Sequence, residues 1–216
     1  MTFRASATFA MAPVNQVGVA IQVTSYRRGS MHVGLLYEDR TGKACIAHLK
    51  RDNVAVSEAA PNDDGYFWDD CAWLAQPKMR PLAETVALFI ELCARTREIP
   101  YGPNPPEDAF DTEGKYVCTD RQLGLTCATY VSSILAGAGY PVVKLDTWQK
   151  RPDDETWWET SRQYLPEERA AELEGVQLRV RLRPDEVAVA ATAEDRPLCY
   201  AQATGRVGPL RDILSK

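Results

Sequence analysis

Between residues 17 and 23, large apolar side chains alternate strictly with small or polar ones. A period of two is typical of a β-strand that buries one face. Two further apolar runs, over residues 31–37 and 44–49, follow the glycine-containing turns YRRGS and EDRTGK. Because short turns join antiparallel neighbours, the sequence predicts an antiparallel meander over residues 14 to 50.

Helical patterns follow the meander. Residues 80–100 carry apolar side chains on one face and a proline in the first turn. Residues 125–141 begin at a candidate N-cap, Thr126, and end in a cluster of glycine and proline. Residues 153–174 are also predicted to be helical. Three strands are predicted after them, over residues 176–182, 186–192 and 198–204.

Together these elements predict an α+β fold in a single domain that spans residues 1–216. Its core is expected over residues 14–140. Residues 145–216 are expected to add an accessory helix and the additional strands.

Composition places the chain among soluble globular proteins, with 45% hydrophobic and 25% charged residues. A formal net charge of −5 argues against nucleic acid or an anionic membrane as the main partner. The N-terminus lacks the sustained apolar core of a signal peptide, and the run VALFIELCA is too short to span a bilayer. We expect a cytoplasmic protein without a membrane anchor, or one exported by a route that needs no cleaved signal. The sequence leaves its oligomeric state open.

The chain contains two histidines, His32 and His48, and both lie in the predicted meander. If the turn between their strands is centred on Arg40, the two residues face each other directly. A turn centred half a residue away places them diagonally. Both numbers are even, so both rings project from the same face of the sheet. We therefore predict that the two histidines share one site; two unrelated exposed histidines are the alternative.

An imidazole is a general base, and Cys127 is the best candidate for the group that it activates. Cys127 lies in the predicted first turn of a helix, where free backbone N–H groups can form an oxyanion hole. The helix terminus and a nearby imidazolium are expected to lower the thiol pKa by roughly two units. We assign Cys127 as nucleophile, His32 as base and His48 as the group that orients the base. An inert core cysteine is the alternative reading of Cys127.

The segments HVGLLYEDRTGKACIAHL and GLTCATYVSSIL resemble the histidine strand pair and the nucleophile helix of the circularly permuted NlpC-type papain-like enzymes. The lecithin:retinol acyltransferase family belongs to that group. The resemblance covers about residues 14 to 140, with the histidines before the cysteine. It implies a papain-like fold in which the nucleophile helix packs on an antiparallel sheet or partial barrel. The lipid-acting branch carries an Asn-Cys-Glu-His-type motif, whereas this chain has TCAT.

The expected function is a cysteine hydrolase that cleaves an amide bond through a covalent acyl-enzyme and needs no cofactor. A peptide, an isopeptide or a cell-wall stem peptide is the expected substrate. Three alternatives stay open. They are a thiol-dependent acyltransferase or thioesterase on lipid or acyl substrates, a zinc site built from Cys127, His32 and His48, and a non-catalytic binding protein on the same scaffold.

Candidate substrate-binding residues lie in two segments. Tyr101 and Gln122 belong to the connection that leads into the nucleophile helix. Trp68 lies in the acidic and aromatic stretch 61–73, which is predicted to be a loop at the rim of the site. The acidity of that stretch would suit a basic or amine-bearing ligand.

Overall fold

The computed structural model describes residues 2–5, 17–25, 30–50, 54–60 and 65–215. Within these residues the protein is α+β, with six antiparallel strands in one open sheet and six α-helices. The strands are β1 (Arg4–Ala5), β2 (Val17–Ser25), β3 (Ser30–Glu38), β4 (Ala44–Leu49), β5 (Ala55–Ala59) and β6 (Phe67–Asp70). Their order across the sheet is β1-β6-β2-β3-β4-β5.

Strands β2, β3 and β4 confirm the predicted meander in the described part of the chain. The edges of the sheet are β1 and β5, which do not pair with each other in that part. The sheet is therefore open, so of the two expected forms the antiparallel sheet is confirmed and the partial barrel is not formed by the described residues.

The helices lie C-terminal to the sheet in sequence. They are α1 (Arg80–Ala94), α2 (Cys127–Gly137), α3 (Asp154–Arg162), α4 (Glu167–Glu172), α5 (Pro184–Thr192) and α6 (Tyr200–Leu214). Helices α1 and α2 confirm the two amphipathic segments that the sequence predicted, and α3 and α4 divide the predicted helical stretch 153–174.

The two faces of the sheet pack against different groups. Successive residues of a strand point to opposite faces. On β3, Val33 and Leu35 join the main hydrophobic core, which also contains side chains of α1, α2, α5 and α6. Leu36 lies on the other face, in a smaller cluster with Ala20, Ile46, Tyr66 and Trp68.

The loop predicted over residues 61–73 is wrong in its centre, where residues 67–70 form β6. Residues 61–64 lie outside the described residues. Strand β6 pairs with both β1 and β2, and its Trp68 side chain is 1% exposed. A strand this short and this acidic has no apolar period, so the pattern of its residues does not indicate a strand.

The three strands predicted near the C-terminus are also wrong. Residues 186–192 belong to α5, and most of residues 198–204 belong to α6. Helix α5 begins at Pro184, and its residues from Val187 to Ala191 are at most 1% exposed. A helix that is apolar on every side shows no 3.6-residue period, and its valines imitate a buried strand.

Residues 176–182 are irregular, although their alternating pattern predicted a strand. The side-chain amide of Asn104 donates to the carbonyl of Gln177 at 2.8 Å and accepts from the N–H of Arg179 at 2.9 Å. A buried side chain therefore takes the place of a neighbouring strand for two backbone groups of this segment.

Candidate functional site

The register of β3 against β4 centres their turn on Thr41 instead of Arg40. The predicted direct facing of His32 and His48 is therefore wrong. Gly34 lies beside His48, because a Cβ atom built on Gly34 would be 3.0 Å from the His48 Cβ. Both histidines still project from one face of the sheet, as their even numbers predicted.

Local turn chemistry explains the shift. The Asp39 carboxylate accepts hydrogen bonds from the backbone N–H groups of Thr41 and Lys43, at 2.8 and 2.9 Å. Gly42 has a φ of 79°, a left-handed conformation that suits glycine. These contacts fix a turn that is longer on its C-terminal side than the assumed one.

The two imidazoles are in direct contact. The Nε2 of His32 lies 2.7 Å from the Nδ1 of His48, and the rings meet edge to face with centroids 5.0 Å apart. His48 is only 4% exposed. Burial lowers the pKa of His48, and the negative charge of Glu58 opposes that shift.

Glu58 on β5 extends this contact into a chain. Its Oε1 atom lies 3.0 Å from the Nε2 of His48, and its Oε2 atom lies 3.4 Å from the Lys50 ammonium. Glu58 was not predicted as a site residue, because the predicted meander ended at residue 50. Its even number places it on the histidine face once Ile46 is paired with it, so a register extended to β5 would have found it.

The hydrogen bonds fix the tautomers in the neutral state. An ionised Glu58 only accepts, so the Nε2 of His48 carries a proton and its Nδ1 accepts. The Nε2 of His32 must then donate to that Nδ1. The basic lone pair of His32 is consequently at Nδ1, which is the atom suited to remove a proton.

Cys127 is the first residue of α2, as the sequence predicted. Thr126 caps the helix through a capping box, in which its hydroxyl accepts from the Thr129 N–H and the Thr129 hydroxyl accepts from the Thr126 N–H. Gly124 allows the close approach of the preceding connection, because a Cβ atom there would lie 2.4 Å from the Pro100 oxygen.

The sulfur of Cys127 lies where four groups favour its charged form. Burial has the largest effect and raises the thiol pKa above its ordinary value. The backbone N–H groups of Val33, Ala128 and Cys127 itself oppose this, and so does the positive charge of Arg181. The expectation of a lowered pKa is therefore wrong, because desolvation outweighs the helix terminus.

Cys127 and the two histidines lie on opposite faces of the sheet but line the same cavity. Helix α2 packs on the face of Val33, whereas His32 and His48 leave the sheet on the opposite face. Among the described residues, pairing of β3 with β4 ends at Leu35, so the backbone N–H of Val33 is available to the Cys127 sulfur.

A cavity of about 520 Å³ contains this arrangement. Cys127, His32 and His48 all line it, together with the predicted Tyr101. Gln122 is exposed and Trp68 is buried in the second hydrophobic cluster. Neither is among the described lining residues, although Tyr66 from the same stretch as Trp68 is.

The acidic rim predicted for a basic ligand is not formed by the described part of that stretch. Asp69 accepts a hydrogen bond from the backbone N–H of Thr2 at 2.7 Å, and Asp70 accepts from Arg4 at 2.9 Å. Both carboxylates hold β1 beside β6 and are occupied by those contacts.

The C-terminal part of the chain completes the cavity, which the sequence did not indicate. Trp157 and Arg181 line it, together with Leu182 and Pro184. Arg169 holds the connection before α2, because its guanidinium donates to the backbone carbonyls of three residues. They are Tyr101, Arg121 and Leu123.

A shared metal is the alternative reading of the same side chains. Within the described residues, no group of three or more His, Cys, Asp and Glu side chains is arranged to hold a metal ion. The contact between His32 and His48 directs one nitrogen of each ring at the other.

No helix among the described residues combines the length and apolar character needed to cross a bilayer.

Comparisons with protein-family models, with curated proteins and with solved structures gave no match to this chain.

Proposed function

We propose that the protein is a cysteine hydrolase of the permuted papain-like type, which cleaves an amide bond through an acyl-enzyme on Cys127. The observation that carries the proposal is the set of Cys127, His32 and His48 around one cavity, with the histidines already hydrogen-bonded to each other. The nucleophile and the base are thus offered to the same substrate, and a third group holds the base.

The first half of the reaction follows from the tautomers. The Nδ1 of His32 takes the thiol proton as the sulfur attacks the carbonyl carbon, and an S–C bond forms. The backbone N–H groups of Cys127 and Val33 lie beside the sulfur and are placed to bind the oxyanion. The C–N bond then breaks, and His32 returns the proton to the leaving amine.

The second half regenerates the thiol. Water attacks the thioester carbon and gives its proton to the Nδ1 of His32. The C–S bond breaks, the acid product leaves, and the sulfur recovers its proton from His32. His48 and Glu58 stabilise the positive charge on His32 in both halves, since each contact in the chain places an acceptor next to a donor.

A non-catalytic binding protein on the same scaffold is the second candidate. The raised pKa of the Cys127 thiol favours it, because a neutral thiol is a weak nucleophile at neutral pH. A hydrolase with this resting thiol depends on His32 to remove the proton during attack, whereas a binding protein does not need it.

Product analysis by mass spectrometry separates the candidates. The protein is incubated with a peptide mixture, a cell-wall digest and lipid vesicles, and new products are identified. We expect peptide or amide products and a transient mass increase on Cys127. Cys127→Ala should abolish both while shifting the free energy of unfolding by no more than about 1 kcal/mol.

Cys199→Ala is the matched control, since Cys199 is also a partly exposed cysteine at a helix start. It should retain full turnover. Turnover by the Cys127→Ala variant would end the hydrolase proposal, and products from vesicles alone would replace it with an acyltransferase or lipase reaction.

A further inference from the structure

The cavity is lined by positive charges, although the chain as a whole is negatively charged. The whole sequence carries a formal charge of −5. The charged side chains among the described lining residues are nevertheless Lys50 and Arg181, with no aspartate or glutamate. Cations in a cleft with low-dielectric walls concentrate anions there. The cavity is therefore suited to a negatively charged substrate, and not to the basic ligand expected from the sequence.

Arg181 is the cation with unused hydrogen-bonding capacity. Lys50 already lies 3.4 Å from Glu58. The Arg181 side chain is 14% exposed, and its nearest carboxylate oxygen, on Asp154, is 3.9 Å away. Its Nε atom is buried and has no hydrogen-bond partner among the described residues. A buried donor without a partner is costly to the folded protein and is satisfied when an acceptor binds.

The neighbouring arginines are engaged with carboxylates. Arg151 binds Glu186, Arg183 binds Asp153 at 2.6 Å, and Arg211 binds Asp185 at 2.6 Å. Arg181 has only the 3.9 Å contact with Asp154, and its guanidinium carbon is 4.1 Å from the centre of the Trp157 ring. That contact orients the guanidinium and leaves its hydrogen bonds to a ligand.

Arg181 lines the same cavity as Cys127. Burial has the largest effect on the Cys127 thiol pKa and raises it, and the positive charge of Arg181 opposes that shift. Burial lowers the pKa of Arg181 itself to about 10, and the guanidinium therefore stays charged at neutral pH. A ligand held by Arg181 would lie next to the bond that Cys127 attacks.

Resting on the proposed hydrolase function, we propose that Arg181 is the specificity-determining residue for a carboxylate carried by the substrate near its scissile bond. The substrate class is an acidic peptide or amide. The Arg181 guanidinium matches a singly charged, planar carboxylate, which it can bind through two parallel hydrogen bonds. Lys50, the other cation of the described cavity, is already paired with Glu58, so no second unpaired cation is offered to a doubly charged phosphate.

Two alkylating reagents test the charge without any enzymatic turnover. Iodoacetate and iodoacetamide both attach a two-carbon group to a thiolate with loss of iodide. Iodoacetate carries a negatively charged carboxylate, whereas iodoacetamide carries a neutral amide. Because both react with the same thiolate, the ratio of their rate constants does not depend on the thiol pKa. We expect the ratio of the iodoacetate rate constant to the iodoacetamide rate constant to be about tenfold higher at Cys127 than at Cys118 and Cys199, which are also partly exposed.

Variants assign the effect to its residue. Arg181→Gln should bring the Cys127 ratio down to that of the other two cysteines, and Arg181→Lys should retain part of it. Arg183→Gln is the matched control, because Arg183 is paired with Asp153 and lines the neighbouring cavity. It should leave the ratio unchanged. Equal ratios at all three cysteines in the native protein would overturn the proposal without any variant.

Peptide pairs extend the test to binding and turnover. Calorimetry of the Cys127→Ala variant with acetyl-Ala-Glu-Ala-amide and its Gln counterpart should show roughly tenfold tighter binding of the acidic peptide, lost when Arg181→Gln is added. If the carboxylate preference appears but no amide is cleaved, the hydrolase function fails and the anion site stands. If cleavage occurs with equal kcat/KM for Glu and Gln peptides, the hydrolase stands and the role of Arg181 fails.

Discussion

The Nε2 of His32 lies 2.7 Å from the Nδ1 of His48, although the two residues do not face each other across the strands. The contact is diagonal, and it crosses the position of Gly34, where a Cβ atom would lie 3.0 Å from the His48 Cβ. The glycine between them therefore allows two rings, two residues apart in register, to form one hydrogen-bonded pair.

Replacing His48 tests whether it orients the base. His48→Asn should retain roughly tenfold more kcat/KM than His48→Ala, since an amide oxygen can still accept from the Nε2–H of His32 and alanine cannot. Steady-state kinetics on any substrate found by product analysis measures the difference. Equal loss in both variants would identify His48 as the true base, and full activity in both would make it a structural residue.

Gly34→Ala should impair the pair more than the fold. The new methyl group would lie 3.0 Å from both the Ala47 oxygen and the His48 Cβ, so β4 has to move by a few tenths of an ångström. We expect a loss of about 1–3 kcal/mol in unfolding free energy and at least a tenfold loss of kcat/KM.

Gly205→Ala provides the comparison for that variant. Gly205 lies in α6 with nothing within 4 Å of an added Cβ atom. Alanine there should stabilise the protein by about 0.5–1 kcal/mol and leave turnover unchanged. If Gly34→Ala is as active as Gly205→Ala, the diagonal contact does not matter for catalysis.

Periodicity predicted the elements better than it predicted their neighbours. The meander and α1 and α2 follow directly from apolar spacing, because large apolar side chains recur with a period of two in β2 and along one face of each helix. The turn register depended on the side chain of Asp39, and the shift it causes moved the partner of His48 without changing its face. The face from which a strand residue projects is set by whether its number is odd or even. The register between two strands depends instead on the individual hydrogen bonds of the turn that joins them.

The remaining site residues lacked a local signal. Arg181 lies in an irregular segment that is held by Asn104 from a distant connection, and its place beside Cys127 depends on tertiary packing alone. The prediction of a lowered pKa for the Cys127 thiol was wrong for the same reason. A helix terminus can be read from a capping residue, but the burial that outweighs it cannot.

Acid should destabilise the protein through His48. Burial lowers its folded-state pKa below the ordinary 6.5, so between 6.5 and the folded pKa the unfolded chain binds a proton that the folded one does not. His48 thus contributes stability above about pH 6.5 that is lost as pH falls, at up to about 1.4 kcal/mol per pH unit. Urea unfolding between pH 5 and 8 should show a shallower decline for His48→Asn than for the native protein; identical slopes would contradict this.

Arg169→Leu should loosen the connection before α2. Arg169 is 6% exposed, and its loss removes the donor from one buried and two partly buried backbone carbonyls. We expect a loss of about 3 kcal/mol in chemical denaturation. The control is Arg206→Leu, which removes an exposed pair with Asp195 and should have a much smaller effect on stability. Similar losses in the two variants would show that Arg169 does not hold the connection.

The pH dependence of Cys127 alkylation tests the balance at the sulfur. Burial raises the thiol pKa above its ordinary value, so iodoacetamide at pH 6 should not label Cys127 ahead of Cys118 or Cys199, and the rate at Cys127 should continue to rise into the alkaline range. Arg181→Gln removes a positive charge, which raises that pKa further and should slow labelling at pH 8 severalfold, since one pKa unit is a tenfold change in thiolate. Peptide mapping by mass spectrometry measures both rates. Rapid labelling of Cys127 at pH 6 that disappears in His32→Ala would instead indicate a thiolate–imidazolium pair.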